Sequence, residues 1–397
     1  MRRFVPLLLL FSAIPASAAA APPRLLTPDE ALARDAERYA ARFGVGAEDA
    51  LLALRKQFAS TAITDRLRTQ YRERLAGIYI EHQPRWGIVV VLTGTAAPPP
   101  MVIEEGGQSF PVRFVTGAPV TRDVALQVLD ANRATLAQAV PGYRGAGYDT
   151  RTGRLIVMQR PGIDPRSADE LASALYDRLG IPVRVRRLEA SMANSAAVGG
   201  GRVEGPDNGR RWVCTTGYVV TDGARSGVTT AAHCPDTLTW RAPDGEERLL
   251  EFAGGWGTAY RDIQIHTRIG PAEPVFFSDR PKTEVRPVTS WITKPMTRSG
   301  DWLCLRGESS GYGCSEVELT DFAPPAELCG GLCSTSWVTV RGPECRRGDS
   351  GSPVFLGTTA YGVLKGGAYL AGGACAFYYY QSVDYLPEGW RLLTANR

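Results

Sequence analysis

Three short stretches carry the residue types needed to attack a carbonyl. Gly348-Asp349-Ser350-Gly351-Ser352-Pro353 sets a serine between glycines, which permits a sharp turn that exposes the hydroxyl. The N–H groups of Gly348 and Ser350 can then converge on one point, as an oxyanion site requires, and Asp349 can lock the turn by a buried pairing. In Thr229-Thr230-Ala231-Ala232-His233-Cys234 a strand runs into a histidine beside a cysteine, so a disulfide there would hold the imidazole. Arg261-Asp262-Ile263-Gln264-Ile265 opens an alternating strand on an aspartate. Alone, Asp262 is a weak signal. Its place between His233 and Ser350 completes a nucleophile, a base and a carboxylate to orient the base. The chain has three histidines. His82 lies in the other half, and His266 sits in a different strand.

The elements that must position these residues begin near Trp212. From there the sequence turns to short strands, many glycines and turn signals, the pattern of a β-barrel or sandwich. Upstream the pattern is mixed. Thr27-Pro28-Asp29-Glu30 reads as a cap, a first-turn proline and early acids, and predicts a helix to about Phe43. Helical spacing of Leu51, Leu52, Leu54, Phe58, Ile63 and Leu67 predicts a further helical run over 47–76. Gly77–Ile80 and Gly87–Leu92 read as strands, and 122–138 as a helix. A turn at 148–153 leads into a strand Arg154–Gln159, a helix Ser167–Leu179 closed by Gly180, and a strand Pro182–Arg187. This order suggests a small sheet covered by a helix. Residues 189–210, centred on Ala193-Asn194-Ser195-Ala196-Ala197-Val198-Gly199-Gly200-Gly201, have the composition of a linker and mark a domain boundary.

Composition narrows the setting. A length of 397 residues suits two or three folded units. A net charge of +4 with no Lys/Arg tract gives no footprint for nucleic acid. Arg2-Arg3, the apolar run Phe4–Ile14 and Ala16-Ser17-Ala18 have the layout of a secretory signal peptide. The run is too short to span a bilayer, which takes about 20 residues. All eight cysteines lie from Cys214 onward, and an even number in an exported chain favours disulfides. A zinc site at Cys329 and Cys333 would lack two further ligands of suitable spacing.

With these motifs in hand, the chain resembles the chymotrypsin-fold serine peptidases, in particular the bacterial streptogrisin and alpha-lytic protease branch. The resemblance covers about Val198 to Arg397. Thr230-Ala231-Ala232-His233-Cys234 matches the branch's histidine motif, Asp262 falls where its orienting aspartate opens a strand, and Gly348-Asp349-Ser350-Gly351 matches its nucleophile motif. The resemblance implies a mainly β fold, with a catalytic domain built as a double six-stranded antiparallel β-barrel. His233, Asp262 and Ser350 would form the triad, and the N–H groups of Gly348 and Ser350 the oxyanion hole. Lys365-Gly366-Gly367 would pair with the substrate backbone by strand addition. The implied disulfides are Cys214–Cys234, Cys304–Cys314 and Cys345–Cys375, which leaves Cys329 and Cys333 to pair across Gly330-Gly331.

Ala76–His82 and Gly147–Arg154 resemble the pro-regions of the same branch. The expected organisation is therefore a signal peptide over 1–18, an α+β pro-region over 19–196 that assists folding and then inhibits, and the peptidase over 197–397. The expected product is a secreted, extracellular or periplasmic, monomeric endopeptidase without cofactor or metal. Its partners would be peptide substrates and its own pro-region, with no nucleic acid and no membrane contact after signal removal. Three departures stand out. Ser352 replaces a glycine, Cys345 lies one residue nearer the serine, and Lys365 stands where the branch has a serine. The Lys365 side chain can sit beside Asp262 or swing to solvent. The aromatic run Phe377–Tyr380 and Tyr361 read first as barrel core.

Overall fold

The computed structural model describes residues 23–188, 191–194, 200–207, 209–242, 246–270, 272–342 and 345–395. The expected signal peptide and the glycine-rich stretch through Gly199 lie outside these residues.

The first helix, Pro28–Phe43, starts in a reciprocal capping box between Thr27 and Glu30 and ends at Gly44 in the left-handed region. It buries Ala31, Leu32, Asp35, Ala36 and Tyr39, one stripe at helical spacing. The expected run over 47–76 divides. Ala47–Ala59 and Thr61–Gln70 are separate helices. At their junction the Ser60 hydroxyl bonds the Gln57 carbonyl, a local bond that competes with helix continuation. From Leu75 the chain is a strand, because Leu75, Ala76, Ile78 and Ile80 are buried on both faces of a sheet. That sheet runs Leu75–Glu81, Gly87–Thr93, Gln108–Ala118, Met101–Glu105. The last two strands form a hairpin about Gly106-Gly107 that the sequence reading passed over. The second upstream unit follows expectation: Tyr143–Asp149, Arg154–Gln159 and Val183–Arg187 pair in order. The helices Arg122–Ala139 and Ala168–Leu179 share its apolar core.

Among the described residues, the regular structure of the downstream half is strand apart from single 3₁₀ turns. Its first part contains two larger sheets, besides a small one in which Val275–Phe277 and Glu284–Pro287 pair with upstream Arg24–Leu25. One contains Arg210–Thr215, Arg202–Asp207, Thr239–Arg241 and Glu247–Leu249. The other contains Glu251–Gly257, Asp262–Thr267, Ser226–Thr230, Val219–Thr221 and Arg391–Leu392. Val203, Cys214, Val228, Leu238 and Leu250 from both sheets make one core. Strand structure thus begins at Arg202, inside the stretch expected to be linker. The second part is a closed six-stranded barrel. Trp302–Gly307, Pro353–Leu356, Thr359–Tyr369, Cys375–Ser382, Trp337–Arg341 and Gly311–Ala323 pair in turn, and the last pairs back with the first. Phe377, Tyr378, Tyr379 and Tyr380 are buried there, as read.

The upstream half is built into this second barrel. Leu32, Ala36, Tyr39, Ala50 and Leu54 belong to the same core cluster as Trp302, Leu303, Leu305, Val354 and Tyr361. Tyr143–Asp149 extends the barrel's sheet through Gly147 opposite Phe322 and Ala146 opposite Ala323. Gly145, at φ +112°, makes this approach possible: a Cβ there would sit 2.8 Å from the Ala323 carbonyl oxygen. Asp35 is fully buried against Arg286, with Arg286 Nη1 2.8 Å from Asp35 Oδ1. Gln57 exchanges hydrogen bonds with the Trp302 backbone, and Arg122 pairs with buried Asp321 at 2.6 Å. No helix among the described residues is long and apolar enough to cross a membrane.

His266 generates a stability prediction. It lies inside the first part, between Val228 and Phe252 on the neighbouring strands. It is fully buried, and among the described residues neither ring nitrogen has a hydrogen-bond partner. Burial lowers its pKa to about 4. An imidazole of the unfolded chain titrates near 6.5, roughly, so the unfolded state takes up protons first. The stability tied to neutral His266 is full above that value and is lost as pH falls toward 4. We expect urea unfolding of the chain carrying Ser350→Ala to weaken between pH 7 and pH 4.5. His266→Leu should remove roughly 2–3 kcal/mol of that loss. An unchanged pH dependence in the leucine variant would contradict this account.

Candidate active site

The three residues picked out by type and spacing meet where the two downstream parts face each other. His233 follows the strand Ser226–Thr230, Asp262 opens the strand Asp262–Thr267, and Ser350 precedes Pro353–Leu356. Asp262 Oδ2 is 2.6 Å from His233 Nδ1, and His233 Nε2 is 2.8 Å from Ser350 Oγ. The second oxygen, Asp262 Oδ1, accepts the backbone N–H of His233 at 3.1 Å, so one carboxylate fixes both the ring and the loop that carries it. Burial pushes the Asp262 carboxyl up, but the charges of His233 and Lys365 more than reverse this and hold it well below the usual carboxylate range. An ionised Asp262 accepts the Nδ1 proton. Nε2 is then the acceptor for the serine hydroxyl, the polarity that general-base activation needs. The same hydroxyl lies 3.1 Å from the Lys365 carbonyl oxygen, an alternative acceptor.

The surroundings hold these groups in register. The disulfide Cys214–Cys234 ties the His233 loop to the strand Arg210–Thr215. The next residue on that strand, Thr215, donates its N–H to the Ser350 carbonyl at 3.0 Å. His233 and Ser350 are thus attached to neighbouring points of one strand. The Asp262 N–H is held by Gln381 Oε1 at 2.5 Å. Sequence reasoning missed Gln381, because a lone glutamine after an aromatic run carries no local mark of its partner.

The turn around Ser350 depends on Asp349, which is completely buried. Its Oδ1 accepts the N–H groups of Ser309 and Ser310 at 3.0 and 3.2 Å, and its Oδ2 accepts that of Arg346 at 2.7 Å. Gly348 and Gly351 take φ values of +109° and +89°. A Cβ on Gly351 would fall 2.1 Å from the Thr215 carbonyl oxygen. The turn therefore needs its glycines for both conformation and space.

All four disulfides are present as expected: Cys214–Cys234, Cys304–Cys314, Cys329–Cys333 and Cys345–Cys375. Of the expected substrate strand, Gly366 and Gly367 lie opposite Asn194 and Ala193. The strand Ser191–Asn194 pairs antiparallel with Gly366–Tyr369. One expectation changes here. Residues 191–194 are strand rather than open linker. They are the upstream strand at the expected substrate strand, whereas Val183–Arg187 pairs with Arg154–Gln159 at the far edge of the extended sheet. Lys365 does not swing to solvent: its Nζ lies 2.9 Å from Asp262 Oδ2.

No protein-family model matches the chain, and no curated protein matches it. Among solved structures it is similar to a glutamic acid specific serine protease described as using a histidine triad in substrate binding. That similarity has 20% identity, covers 47% of this chain and 93% of the other, and has a TM-score of 0.37. A Nocardiopsis protease is 21% identical over 50% of this chain and 98% of its own, with a TM-score of 0.39. A Cellulomonas bogoriensis chymotrypsin is 21% identical over 50% and 99%, also at 0.39.

Gly307 tests the support of the turn. A Cβ on it would meet Asp349 Oδ1 at 2.2 Å, so Gly307→Ala must displace the buried carboxylate from its three backbone donors. If the Gly348 and Ser350 N–H groups stabilise an oxyanion, kcat should fall by about 10²-fold, the loss typical of one such donor. KM should change far less, because the ground state does not use that charge. Steady-state kinetics on a peptide substrate measures both, and an unaltered kcat would remove Asp349 from this role.

Proposed function

We propose that the chain is the precursor of a secreted serine endopeptidase, with residues 197–397 as the enzyme, 19–196 as its pro-region and 1–18 as its signal peptide. The observation that carries this reading is the hydrogen-bonded series from Asp262 through His233 to Ser350. Ser350 Oγ attacks the peptide carbonyl while His233 takes its proton, and the carbonyl oxygen gathers charge between the N–H groups of Gly348 and Ser350. The imidazolium, stabilised by Asp262, gives that proton to the leaving amine. Water then repeats the sequence on the acyl-enzyme and releases the acid. Lys365-Gly366-Gly367 belongs to the strand on which an extended substrate would lie.

The pro-region reading is supported by the way residues 23–188 share core with the second barrel and by the pairing of Ser191–Asn194 with Gly366–Tyr369. A segment in that position occupies the substrate strand, as an inhibitor would. A barrel made of non-local pairings folds slowly. A partner that binds the barrel's surface during folding lowers that barrier, and its removal leaves the enzyme behind a high unfolding barrier.

A fluorophosphonate probe should label the processed enzyme at Ser350. Ser350→Ala should abolish labelling and lower turnover by about 10⁴-fold or more. Equal labelling of the alanine variant would sink the assignment. For the pro-region, residues 197–397 should regain activity after denaturation only when the separately expressed segment 19–196 is added, and excess segment should then inhibit. Efficient refolding of 197–397 alone would rule out the assistant role.

A further inference from the structure

Lys365 adds a fourth member to the hydrogen-bonded series. Its side chain is buried, 3% exposed, within the barrel strand Thr359–Tyr369. The ammonium lies 2.9 Å from Asp262 Oδ2, the same oxygen that meets His233 Nδ1 at 2.6 Å. Its other neighbour is the face of Trp337, with Nζ 5.2 Å from the ring centroid. A buried ammonium is costly to desolvate unless it is paired, and here the pairing is with the triad carboxylate and an aromatic ring. One carboxylate oxygen thus lies between two groups that can both be cationic.

Among the described residues, the titratable groups facing Asp262 are few. His233 comes from the loop after Ser226–Thr230, and Lys365 from Thr359–Tyr369. Tyr379 comes from Cys375–Ser382, and burial holds its phenol protonated far above the ordinary range. Arg261, next to Asp262, lies instead over the Tyr260 ring, with its guanidinium carbon 4.9 Å from the centroid. The balance at the site is therefore set by Lys365, Asp262 and His233. With the imidazole neutral, the lysine and aspartate charges cancel. Protonating the ring leaves a net positive charge in a buried cluster. An uncharged side chain in place of Lys365 would leave Asp262 to attract the imidazolium unopposed, and the ring would hold its proton to higher pH.

We propose that Lys365 is a positioning residue of the peptidase: it shares the triad aspartate with His233, and so keeps the base neutral and the enzyme working at lower pH than Asp262 alone would allow. This rests on the serine-peptidase reading above.

The test compares the enzyme processed from the full chain in three forms: wild type, Lys365→Met and Lys365→Arg. In the methionine variant the acid limb of the kcat/KM profile should move to higher pH by about one unit. At pH values below both limbs the variant should then lose about tenfold more activity than it loses on the plateau. Lys365→Arg, which keeps the charge, should restore the wild-type limb. A role in packing alone would lower the plateau and leave the limb in place, which would overturn the proposal. So would a limb displaced to lower pH. Should the methionine variant not accumulate, Lys365→Gln gives the same comparison.

A second measurement does not need turnover. The segment 197–397 contains only His233 and His266, so histidine-labelled NMR can follow the His233 ring directly. Its titration midpoint should rise in the methionine variant and return in the arginine variant. If the ring behaves so in a protein that neither cleaves peptides nor reacts with fluorophosphonate, the peptidase reading fails and the charge sharing stands. If the enzyme is active and the midpoint does not move, the proposal about Lys365 fails and the peptidase reading stands.

Discussion

A carboxylate with almost no access to water, Asp262, is the constraint around which the downstream half is arranged. An isolated buried charge of this kind is not tolerated, so it must be satisfied from several directions. The structure supplies the His233 ring and backbone N–H on one side and Lys365 on the other. Gln381 fixes the aspartate's own N–H. These partners come from both downstream parts: His233 and Asp262 from the first, Lys365 and Gln381 from the second. Satisfying the charge therefore docks one part on the other. It also sets the distance between His233, carried by the first part, and Ser350, carried by the second. The strand ending at Thr215 reinforces the same geometry, because it holds the His233 loop by a disulfide and the Ser350 carbonyl by a hydrogen bond.

The second barrel depends on contacts that the downstream half does not supply. Arg286 is fully buried, and its carboxylate partner Asp35 lies in the first helix. The Trp302 backbone bonds the side chain of Gln57, and buried Asp321 is shared by Arg122 from upstream and Lys294 from the barrel itself. Such groups cost free energy when left without partners. Residues 197–397 on their own would have to expose Arg286 and the apolar face of Trp302 to water. The upstream half thus lowers the energy of the barrel by completing buried polar pairs, by covering apolar surface, and by short sheet extensions at Phe322–Ala323 and Gly366–Tyr369.

What could be read from the sequence follows from how local each signal is. Ser350 and His233 were legible because the demands on them are local: glycines for the turn, a cysteine beside the ring. Asp262 was harder, since an aspartate that opens a strand looks the same whatever faces it. Its place beside His233 and Ser350 is read from chain order alone. The position of the Lys365 side chain is not legible in the sequence, because its rotamer is decided by Asp262 and Trp337, which come from other strands. The helix after Thr27 begins where its cap predicts, and the helix read from Ser167 begins one residue later, with Ser167 as its cap. The run over 47–76 was overextended because helical spacing of leucines does not reveal that Leu75–Ile80 must be buried on both faces. Residues 191–194 have the composition of a linker and become a strand only because Gly366–Tyr369 offers an unpaired edge. Strand formation here is imposed by the partner rather than by propensity.

The uncut chain already holds the series from Asp262 to Ser350 at hydrogen-bonding distances, and the turn around Ser350 is already locked by Asp349 through three backbone donors. That lock draws on Ser309, Ser310 and Arg346, all part of the downstream half and all in place before any cut near residue 197. If the N–H groups of Gly348 and Ser350 form an oxyanion site, release of a new chain end is therefore not needed to build it. Under the proposed reading, the precursor is held inactive by occupancy of its substrate strand and not by an unformed centre. A cut between the two halves does not by itself clear the strand Gly366–Tyr369. The paired segment must also leave, together with the helices and sheet that anchor it to the second barrel. Activation then becomes a matter of dissociating or destroying a well-packed partner, and the same contacts that stabilise the barrel during folding set how slowly the enzyme is released.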